Sequence, residues 1–454
     1  MAGDASCELS LEGSDPGWVA AYAWARRQAQ AYRYDGDPVG PWYEAALPGR
    51  SAFCVRDVCH QSTGAQILGM SAHTKNMLRR FAASVSDGKD WCPFWEITRD
   101  GTPAAVDYKS DQRFWYNLPG SFDLVDACYR QFLWTGDADY LDDPVFQQYY
   151  RRTMEDFIER WDRDGDGLPE HRPEYGSRGI ATYNEQIRHP QAGGDLLGAM
   201  YAAFAAHATL QARGGDAAGS RRSRRRAVAL RRLYNAKWWN EASRTFHGHR
   251  RQDGSFSTDY GYEGNFLPLY FGLPAGRPRV QSALDAMLAH PAPNIEGLTY
   301  VVDILLEYGR VQEAWALLRT AARPEYPRSE YPEVSFCTVG ALVRGLAGLS
   351  PDASRGLLQT VSRLPDQRAW LRVGPVPVLG GRVTVTHVGR SASHLVNEGE
   401  RPLRWRAAFP GLHPCWKVNG RLQPAGRGRR HGEWYVFLDT VVAPGQACAV
   451  ERCP

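Results

Sequence analysis

The stretch Ser51-Ala-Phe-Cys-Val-Arg-Asp-Val-Cys-His-Gln61 places an arginine and an aspartate side by side, at Arg56 and Asp57. An apolar run follows at residues 65–70 and indicates a helix, so the pair stands at a helix mouth. A guanidinium offers a fork of donors and a carboxylate offers acceptors, and neighbouring hydroxyl groups on one small ligand need both. The stretch therefore predicts a polar ligand site at the start of a helix.

The composition is that of a folded protein rich in aromatic residues. A chain of 454 residues can bury one large domain and a small one, and a net charge of +4 is too small to favour nucleic acid. The basic run Arg221–Arg226 is local and fits a solvated helix face better than an anion-binding patch. Many of the 15 Trp and 22 Tyr lie among polar residues, where their rings suit the apolar faces and polar rims of sugars, although core filling accounts for most of them.

The nine cysteines are scattered and show no CxxC spacing, which argues against a disulfide framework and against zinc. The first 17 residues are polar and lack the apolar centre of a signal peptide, and no apolar run approaches membrane-spanning length. We therefore expect a cytoplasmic protein that binds neither membrane nor nucleic acid. The sequence leaves the oligomeric state open.

Helical periodicity extends over most of the chain, in about twelve segments with a period near 3.6. The segments are 17–33, 57–69, 72–86, 119–135, 142–161, 193–212, 218–239, 263–271, 277–290, 297–307, 310–322 and 334–348. From about residue 366 the period falls to two, as in Arg382–Val388, and Val418-Asn-Gly420 is a hairpin turn signal. We expect a disordered or linking segment at 1–17, a helical domain at 18–360 and an antiparallel β-sandwich at 366–454.

Three further motifs carry a family resemblance. They are Asp162-Arg-Asp-Gly-Asp-Gly-Leu-Pro-Glu170, Gly194-Asp-Leu-Leu-Gly198 and Tyr331-Pro-Glu-Val-Ser335. Together with Arg56-Asp57 they make the chain resemble the six-hairpin glycosidases, which include glucoamylase-like and rhamnosidase-like enzymes. The resemblance implies a mainly α fold, an (α/α)6 toroid of about twelve helices with a small C-terminal β-sandwich. It also implies an exo-acting glycoside hydrolase that cleaves an oligosaccharide or glycoside and grips the terminal sugar with the Arg-Asp pair. Inversion of the anomeric centre is the expected outcome, and retention is the alternative that the sequence leaves open.

Glycoside hydrolysis needs two carboxyl groups, one that protonates the leaving oxygen and one that activates water or attacks the sugar. The resemblance places the proton donor in the long loop 162–192, where Glu185 is the first candidate and Glu174 the second. The base is expected in the loop before the last helix, where Glu333 is the first candidate and Glu330 the second. A role for Glu333 at the helix N-terminus is the structural alternative.

The other predicted sugar contacts lie in loops that combine aromatic rings, amides and acids. Rings can stack on a sugar face, while carboxylates and amides bind its hydroxyl groups. The predicted contacts are Trp42, His60, Trp95, Asp111, Trp115, Asn117, Glu263, Glu296 and Glu330. Packing inside the protein is the competing interpretation for each of them, and His60 fits a buried core histidine equally well.

The loop Asp162-x-Asp164-x-Asp166-Gly167 has the spacing of a calcium loop, with alternate carboxylates and a glycine for the sharp turn. Glu170 would add a fourth ligand. The twelfth position is Pro173, which has no side-chain oxygen, so an Asx-turn loop held by internal hydrogen bonds competes with a structural Ca²⁺ site. No other cofactor is expected.

The alternatives keep the fold and change the reaction or the substrate, replace hydrolysis by epimerisation, or, as a third possibility, remove catalysis. A phosphorylase would need a phosphate cradle, and a uronate-processing hydrolase would need an extra cation such as Arg113 or Arg188. A sugar epimerase would use paired pocket histidines as acid and base, for which His60 and His189 are the best placed. A sugar-binding relative without catalysis is the third alternative.

Overall fold

The computed structural model describes residues 8–187 and 189–453. Residues 1–7 of the segment predicted as a linker at 1–17, together with Arg188, lie outside the described residues. The helices in this part of the chain are α1 (Pro16–Ala31), α2 (Val55–Ile67), α3 (Ser71–Ala83), α4 (Pro119–Thr135), α5 (Asp139–Asp142), α6 (Pro144–Arg152), α7 (Ile158–Trp161), α8 (Gly194–Arg213), α9 (Ala217–Lys237), α10 (Glu263–Tyr270), α11 (Arg277–Ala289), α12 (Ile295–Glu307), α13 (Val311–Ala321) and α14 (Pro332–Gly340). Among the described residues, no helix is long and apolar enough to cross a bilayer.

Strands occur as short pairs between the helices and as two larger sheets after them. They are β1 (Ser10–Gly13), β2 (Arg33–Tyr34), β3 (Trp42–Tyr43), β4 (Ala52–Cys54), β5 (Glu96–Thr98), β6 (Tyr108–Ser110), β7 (Arg113–Phe114), β8 (Tyr116–Asn117), β9 (Arg178–Ile180), β10 (Pro190–Gly193), β11 (Trp239–Asn240), β12 (Thr245–Phe246), β13 (His249–Arg251), β14 (Ser350–Asp352), β15 (Leu357–Val361), β16 (Trp370–Val378), β17 (Gly381–Val388), β18 (Ala392–Asn397), β19 (Leu403–Pro410), β20 (Trp416–Val418), β21 (Arg421–Leu422), β22 (Gly426–Arg430), β23 (Glu433–Val442) and β24 (Ala447–Arg452).

Six helices contact one another in order around a closed ring. Helix α2 packs on α4, α4 on α8, α8 on α10, α10 on α12, α12 on α14, and α14 returns to α2. Helices α1, α9, α11 and α13 each pack on one member of the ring, and α3 packs on two, α2 and α4. This order of contacts is consistent with the predicted toroid.

Small and apolar residues explain how the ring closes. Every residue of α14 is buried, including the polar Glu333, Ser335 and Thr338, because neighbouring elements cover this helix on every side. Gly64 of α2 faces the backbone of Phe336 in α14, and a Cβ at this position would clash with the Phe336 carbonyl. Gly198 of α8 faces Pro268 of α10 in the same way. The two helix pairs therefore approach more closely than larger side chains would allow.

The C-terminal part is a β-sandwich of two sheets. One sheet has the order β1-β16-β17-β18-β24-β20-β21, and the other has the order β14-β15-β19-β23-β22. Neighbouring strands are antiparallel except β15 and β19, which are parallel. Phe409 of the second sheet stacks on Trp416 of the first, with ring centroids 4.2 Å apart, so the core lies between the sheets.

Two predicted boundaries are corrected by this sheet topology. Ser10–Gly13 is not a linker, because it pairs with β16 as the edge strand of the first sheet. The sandwich begins at Ser350 rather than at 366, because β14 and β15 extend the second sheet. The structure also contains a disulfide bond between Cys415 and Cys453, which the scattered spacing did not predict. The six other described cysteines are free and buried.

Candidate active site

A cavity of about 500 Å³ opens at one end of the helix ring. Asp57 and Glu263 reach it from the first turns of α2 and α10, Glu296 reaches it from the first turn of α12, and Tyr331 immediately precedes α14. The N-termini of four ring helices, α2, α10, α12 and α14, therefore meet at this cavity. Binding sites often lie where loops meet on a rigid helical scaffold.

The cavity combines acids, guanidinium groups, amides and aromatic rings. Its lining includes the carboxyl groups of Asp57, Glu96, Asp107, Glu185, Glu263 and Glu296, the guanidinium groups of Arg50, Arg56 and Arg328, the amides of Asn184, Gln186 and Asn294, and the rings of Trp95, Trp115, Tyr183 and Tyr331. Such a mixture suits a ligand with many hydroxyl groups and apolar C–H faces.

The Arg56-Asp57 pair lies in this lining, in the first turn of α2. Asp57 is 1% exposed, and its Oδ2 accepts a hydrogen bond of 2.7 Å from the Tyr331 hydroxyl. Burial and then the nearby Glu333 raise the pKa of Asp57 above its ordinary value, against the opposing effects of Arg56 and Tyr331. Arg56 donates to Asp57 Oδ1 at 3.4 Å and keeps further donors directed at the cavity.

Glu185 lies in a loop whose backbone is held by hydrogen bonds of the neighbouring Thr182 and Asn184 side chains. Thr182 Oγ1 donates to the buried carboxylate of Asp195 at 3.0 Å, and the Asn184 side chain accepts from the backbone N–H of Gln186 at 3.0 Å. The Glu185 side chain is 54% exposed, and its Oε1 is 4.0 Å from Arg56 Nη1. The loop backbone is fixed while the carboxyl group stays free to turn toward a ligand.

Glu263 is positioned by glycines at the start of α10. Gly194, Gly248 and Gly264 bring three backbones together at distances that leave no room for a Cβ, and Gly194 N–H donates to the Gly248 carbonyl at 2.9 Å. Burial raises the pKa of Glu263 to about 7. Its Oε2 is buried and has no hydrogen-bond partner within the protein, so this oxygen is available to a ligand.

Glu296 stands on the next ring helix and is held by an ion pair. Arg328 Nη2 donates to Glu296 Oε1 at 2.6 Å, whereas Oε2 is buried without a partner in the protein. Asn294 caps α12 by accepting from Gly297 N–H at 2.8 Å, which fixes the turn that carries Glu296. One oxygen is therefore anchored and the other is free.

Two neighbouring acids, Glu96 and Asp107, form another part of the cavity wall. Arg50 Nη1 donates to Glu96 Oε2 at 2.6 Å and lies 4.0 Å from Asp107. Burial and then the neighbouring Asp107 raise the pKa of Glu96 above its ordinary value. Both acids come from the aromatic loop that also supplies Trp95 and Trp115.

The prediction that Glu333 reaches the sugar is corrected by its burial. The side chain is fully buried behind Asp57, it does not line the cavity, and its Oε1 lies 2.6 Å from His60 Nδ1. The His60 ring is also withdrawn from the cavity and stacks on Tyr300, with ring centroids 3.5 Å apart. Burial lowers the pKa of His60, but contacts with Cys337, Asp303 and Glu333 outweigh it and the net shift is upward.

Four other predicted contacts lie away from the cavity. Trp42 is buried and stacks on Tyr34, and Asn117 is buried and donates to the Thr182 carbonyl. Asp111 accepts a hydrogen bond from Tyr108 on the β6–β7 hairpin, and Glu330 is exposed at the surface. The aromatic and polar patterns around these residues reflect packing between hairpins.

The acidic loop forms a cluster of three carboxylates rather than four. Oxygens of Asp162, Asp164 and Asp166 lie within 4.8 Å of one another, the spacing that a cation site needs. Their oxygens also accept from backbone N–H groups of the same loop, as an Asx-turn loop would. Glu170 is not part of the cluster, because Gln191 and Arg250 bind its carboxylate.

Comparison with known proteins was informative at the level of the fold. No model of a known family matches the chain, and no curated protein matches it. Solved structures match with low identity. α-L-Rhamnosidase from Dictyoglumus thermophilum has a TM-score of 0.62 at 15% identity, and the match covers 98% of this chain and 51% of the rhamnosidase chain. The GH78 family rhamnosidase of Bacillus sp. GL1 has a TM-score of 0.59 at 15% identity, with 85% and 40% covered. A putative kojibiose phosphorylase from the human microbiome has a TM-score of 0.58 at 9% identity, with 96% and 63% covered.

These neighbours define a fold class. The chain shares its fold with these two rhamnosidases and with the phosphorylase, in agreement with the resemblance that its motifs carry, and no individual family is identified. The chain spans about half or less of the length of the two rhamnosidases. The likeness is one of fold, so activity and substrate follow only from the site.

Proposed function

We propose that this chain is an exo-acting glycoside hydrolase whose ring helices form an (α/α)6 toroid and whose cavity holds one terminal sugar. One observation carries the proposal. The Arg56-Asp57 pair shares a single cavity with carboxyl groups from three different segments of the chain, at Glu185, Glu263 and Glu296. The rhamnosidase and phosphorylase names of the fold neighbours support a glycoside as the ligand.

The exposure of Glu185 supports it as the proton donor. In an exo-acting site the terminal sugar fills the depth of the cavity, so the glycosidic oxygen faces the mouth. The side chain of Glu185 is 54% exposed, compared with 11% for Glu296 and 2% for Asp57. We assign Glu185 as the general acid, because it lies nearest to the position of the leaving oxygen.

The place of Glu296 in the cavity lining, together with its free oxygen, supports it as the base. Arg328 anchors Oε1, and the unpartnered Oε2 can accept a proton from a water molecule. Glu296 takes the role that the sequence placed on Glu333, and the expected stereochemical outcome remains inversion. Glu263, protonated below a pH of about 7, can donate a hydrogen bond to a sugar hydroxyl.

The test separates the two carboxyl roles by leaving group. Glu185→Gln should lose turnover of an alkyl glycoside but keep much of its turnover of a dinitrophenyl glycoside, whose leaving group needs no protonation. Glu296→Gln should lose both. Glu174→Gln is the matched control, because it lies exposed in the same loop as Glu185 and outside the cavity. Full turnover of both substrates by Glu185→Gln and Glu296→Gln would reject the assignment, and proton NMR of the first-formed anomer tests inversion.

Phosphorolysis is the second candidate, because a phosphorylase is among the fold neighbours. Three guanidinium groups face the cavity, but Arg50, Arg56 and Arg328 each lie within 4.0 Å of a carboxylate. This pairing leaves little positive charge for phosphate and favours water as the acceptor. Formation of a sugar 1-phosphate when inorganic phosphate is added would favour phosphorolysis instead.

The two histidines predicted as the acid and base of an epimerase, His60 and His189, do not support epimerisation. Within the described residues no histidine lines the cavity: His60 is buried behind Asp57, and His189 stacks on His171. Arg113, the cation suggested for a uronate substrate, is exposed on β7 and also lies outside the lining.

A further inference from the structure

The outer helix α9 carries an unusually one-sided charge. Its 21 residues include seven arginines and one lysine, and no aspartate or glutamate. Arg221 and Arg225, and likewise Arg222 and Arg226, are spaced by four residues and lie on one face. Like charges at this spacing destabilise a helix, so the arrangement has a cost that an anion would relieve.

Most of these cations face solvent. Arg226 turns inward to donate to the Gly167 carbonyl, and Arg231 donates to the Pro274 carbonyl. The others are exposed, and none of them forms an ion pair with an acid in residues 8–187 or 189–453. They are Arg221, Arg222, Arg224, Arg225, Arg232 and Lys237. A solvated helix face in a folded protein normally mixes both signs of charge, which this face does not.

A groove runs beside this basic face. It encloses about 450 Å³ between α8 and α9, and its floor consists of the ring of Tyr201 with alanines of both helices. Arg224 and Arg232 form its rim, and Val228 is 44% exposed between them. The groove therefore offers an apolar floor between two neighbouring helices, and guanidinium groups flank this floor.

We propose that α9 and this groove bind a chain of an acidic polysaccharide, with its carboxylates on the arginines and its sugar C–H faces on the apolar floor. Guanidinium groups match carboxylates in geometry as well as in charge. A tyrosine ring and small apolar side chains suit the face of a sugar ring. A bilayer surface is flat and cannot enter a groove between two helices, and the phosphates of duplex DNA would leave the apolar floor uncovered. The surface lies outside the catalytic cavity and is independent of the proposed hydrolysis.

The experiment uses the whole chain and two polymers with the same backbone. Polygalacturonate carries one carboxylate per sugar, and its fully methyl-esterified form carries none. We expect the protein to be retarded by polygalacturonate in affinity electrophoresis, with retardation that declines as salt rises, and to run freely in the esterified polymer. The triple variant Arg224→Gln, Arg225→Gln, Arg232→Gln should weaken the affinity about tenfold or more, since three guanidinium–carboxylate pairs are lost.

A control variant removes the same charge elsewhere. Arg368, Arg421 and Arg427 are exposed in the β-sandwich, and their replacement by glutamine changes the net charge by the same three units. This control should bind polygalacturonate as the wild type does. Equal loss in both variants, equal binding to the esterified polymer, or tighter binding to duplex DNA or to anionic vesicles would overturn the proposal. Glu185→Gln, which tests hydrolysis, should bind polygalacturonate unchanged.

Discussion

Replacing Glu263 by glutamine should stabilise the protein at alkaline pH and leave its stability unchanged at acidic pH. Burial raises the pKa of Glu263 from 4.5 to about 7, so the folded protein holds a proton there that the unfolded chain releases. Below the unfolded value both states are protonated. Between the two values the wild-type free energy of unfolding falls as pH rises, and above about pH 7 the full cost is present. Glutamine stays neutral throughout and has no such decline.

The magnitude follows from the size of the shift. A change from 4.5 to about 7 corresponds to about 3 kcal/mol, at about 1.4 kcal/mol for each pKa unit. Water in the open cavity screens part of this cost, so we expect about 2 kcal/mol at about pH 8.5 and close to zero at about pH 4. The steric effect of the amide is the same at both pH values, so the change between them isolates the charge.

The assay is urea unfolding followed by tryptophan fluorescence at both pH values, in wild type and variant. The control is Glu325→Gln, the same substitution at an exposed glutamate outside the cavity. A stability difference for Glu263→Gln that stays constant with pH, or that favours the wild type at alkaline pH, would show that Glu263 is not held protonated by burial.

Three further outcomes follow from the site. Arg56→Ala should lower kcat/KM about 30-fold, because a charged donor to the terminal sugar is lost; steady-state kinetics on a nitrophenyl glycoside measure it, and an unchanged value would make the pair purely structural. Glu333→Gln should lower the free energy of unfolding by about 3 kcal/mol while the folded enzyme keeps turnover, because His60 loses its buried partner; urea unfolding and kinetics check both, and complete loss of turnover by the folded variant would restore Glu333 as the base. If the acidic loop binds Ca²⁺, added calcium should raise the Tm of the wild type but not of Asp164→Asn, and equal shifts in scanning fluorimetry would favour the Asx-turn loop.

The sequence predicted well those features that depend on periodicity and chain order. The segment predicted at 119–135 is α4 (Pro119–Thr135), and the predicted ligand pair does stand in the first turn of α2. Glu263 and Glu296, predicted as sugar contacts from the composition of their loops, both line the cavity. Both lie in the first turns of ring helices, whose N-termini meet at this cavity regardless of their separation in the chain.

The direction of each side chain was not predictable in the same way. Tyr331 immediately precedes α14, and Glu333 lies two residues later in the first turn of this helix. Tyr331 nevertheless lines the cavity, whereas Glu333 points to His60. A difference of two positions is about half a helical turn, and the sequence does not show which half faces the axis. Arg50 and Arg328 were missed because arginines in polar loops are common and only their buried acid partners distinguish them.

Behind Asp57, the buried Glu333 begins a series of contacts between charged side chains that leads away from the cavity. Glu333 contacts His60 on one ring nitrogen, and Asp303 lies 3.7 Å from the other. Arg344 is 3.8 Å from Asp303. Against the effect of burial, Arg430 and then His431 and Arg363 lower the pKa of Glu307, and Arg344 adds to them. Charges of opposite sign therefore alternate through the core of the helix ring, from α14 through α2 to α12.

This row of charges ends on the β-sandwich. Arg363, which follows β15, lies 3.7 Å from Glu307, and Arg430 of β22 binds the same carboxylate. The Glu307 side chain is 23% exposed and that of Arg430 is 37% exposed, so solvent screens part of this pairing. The sandwich therefore does more than cover one side of the helix ring, because Arg363 and Arg430 balance the charge of Glu307 at the end of α12.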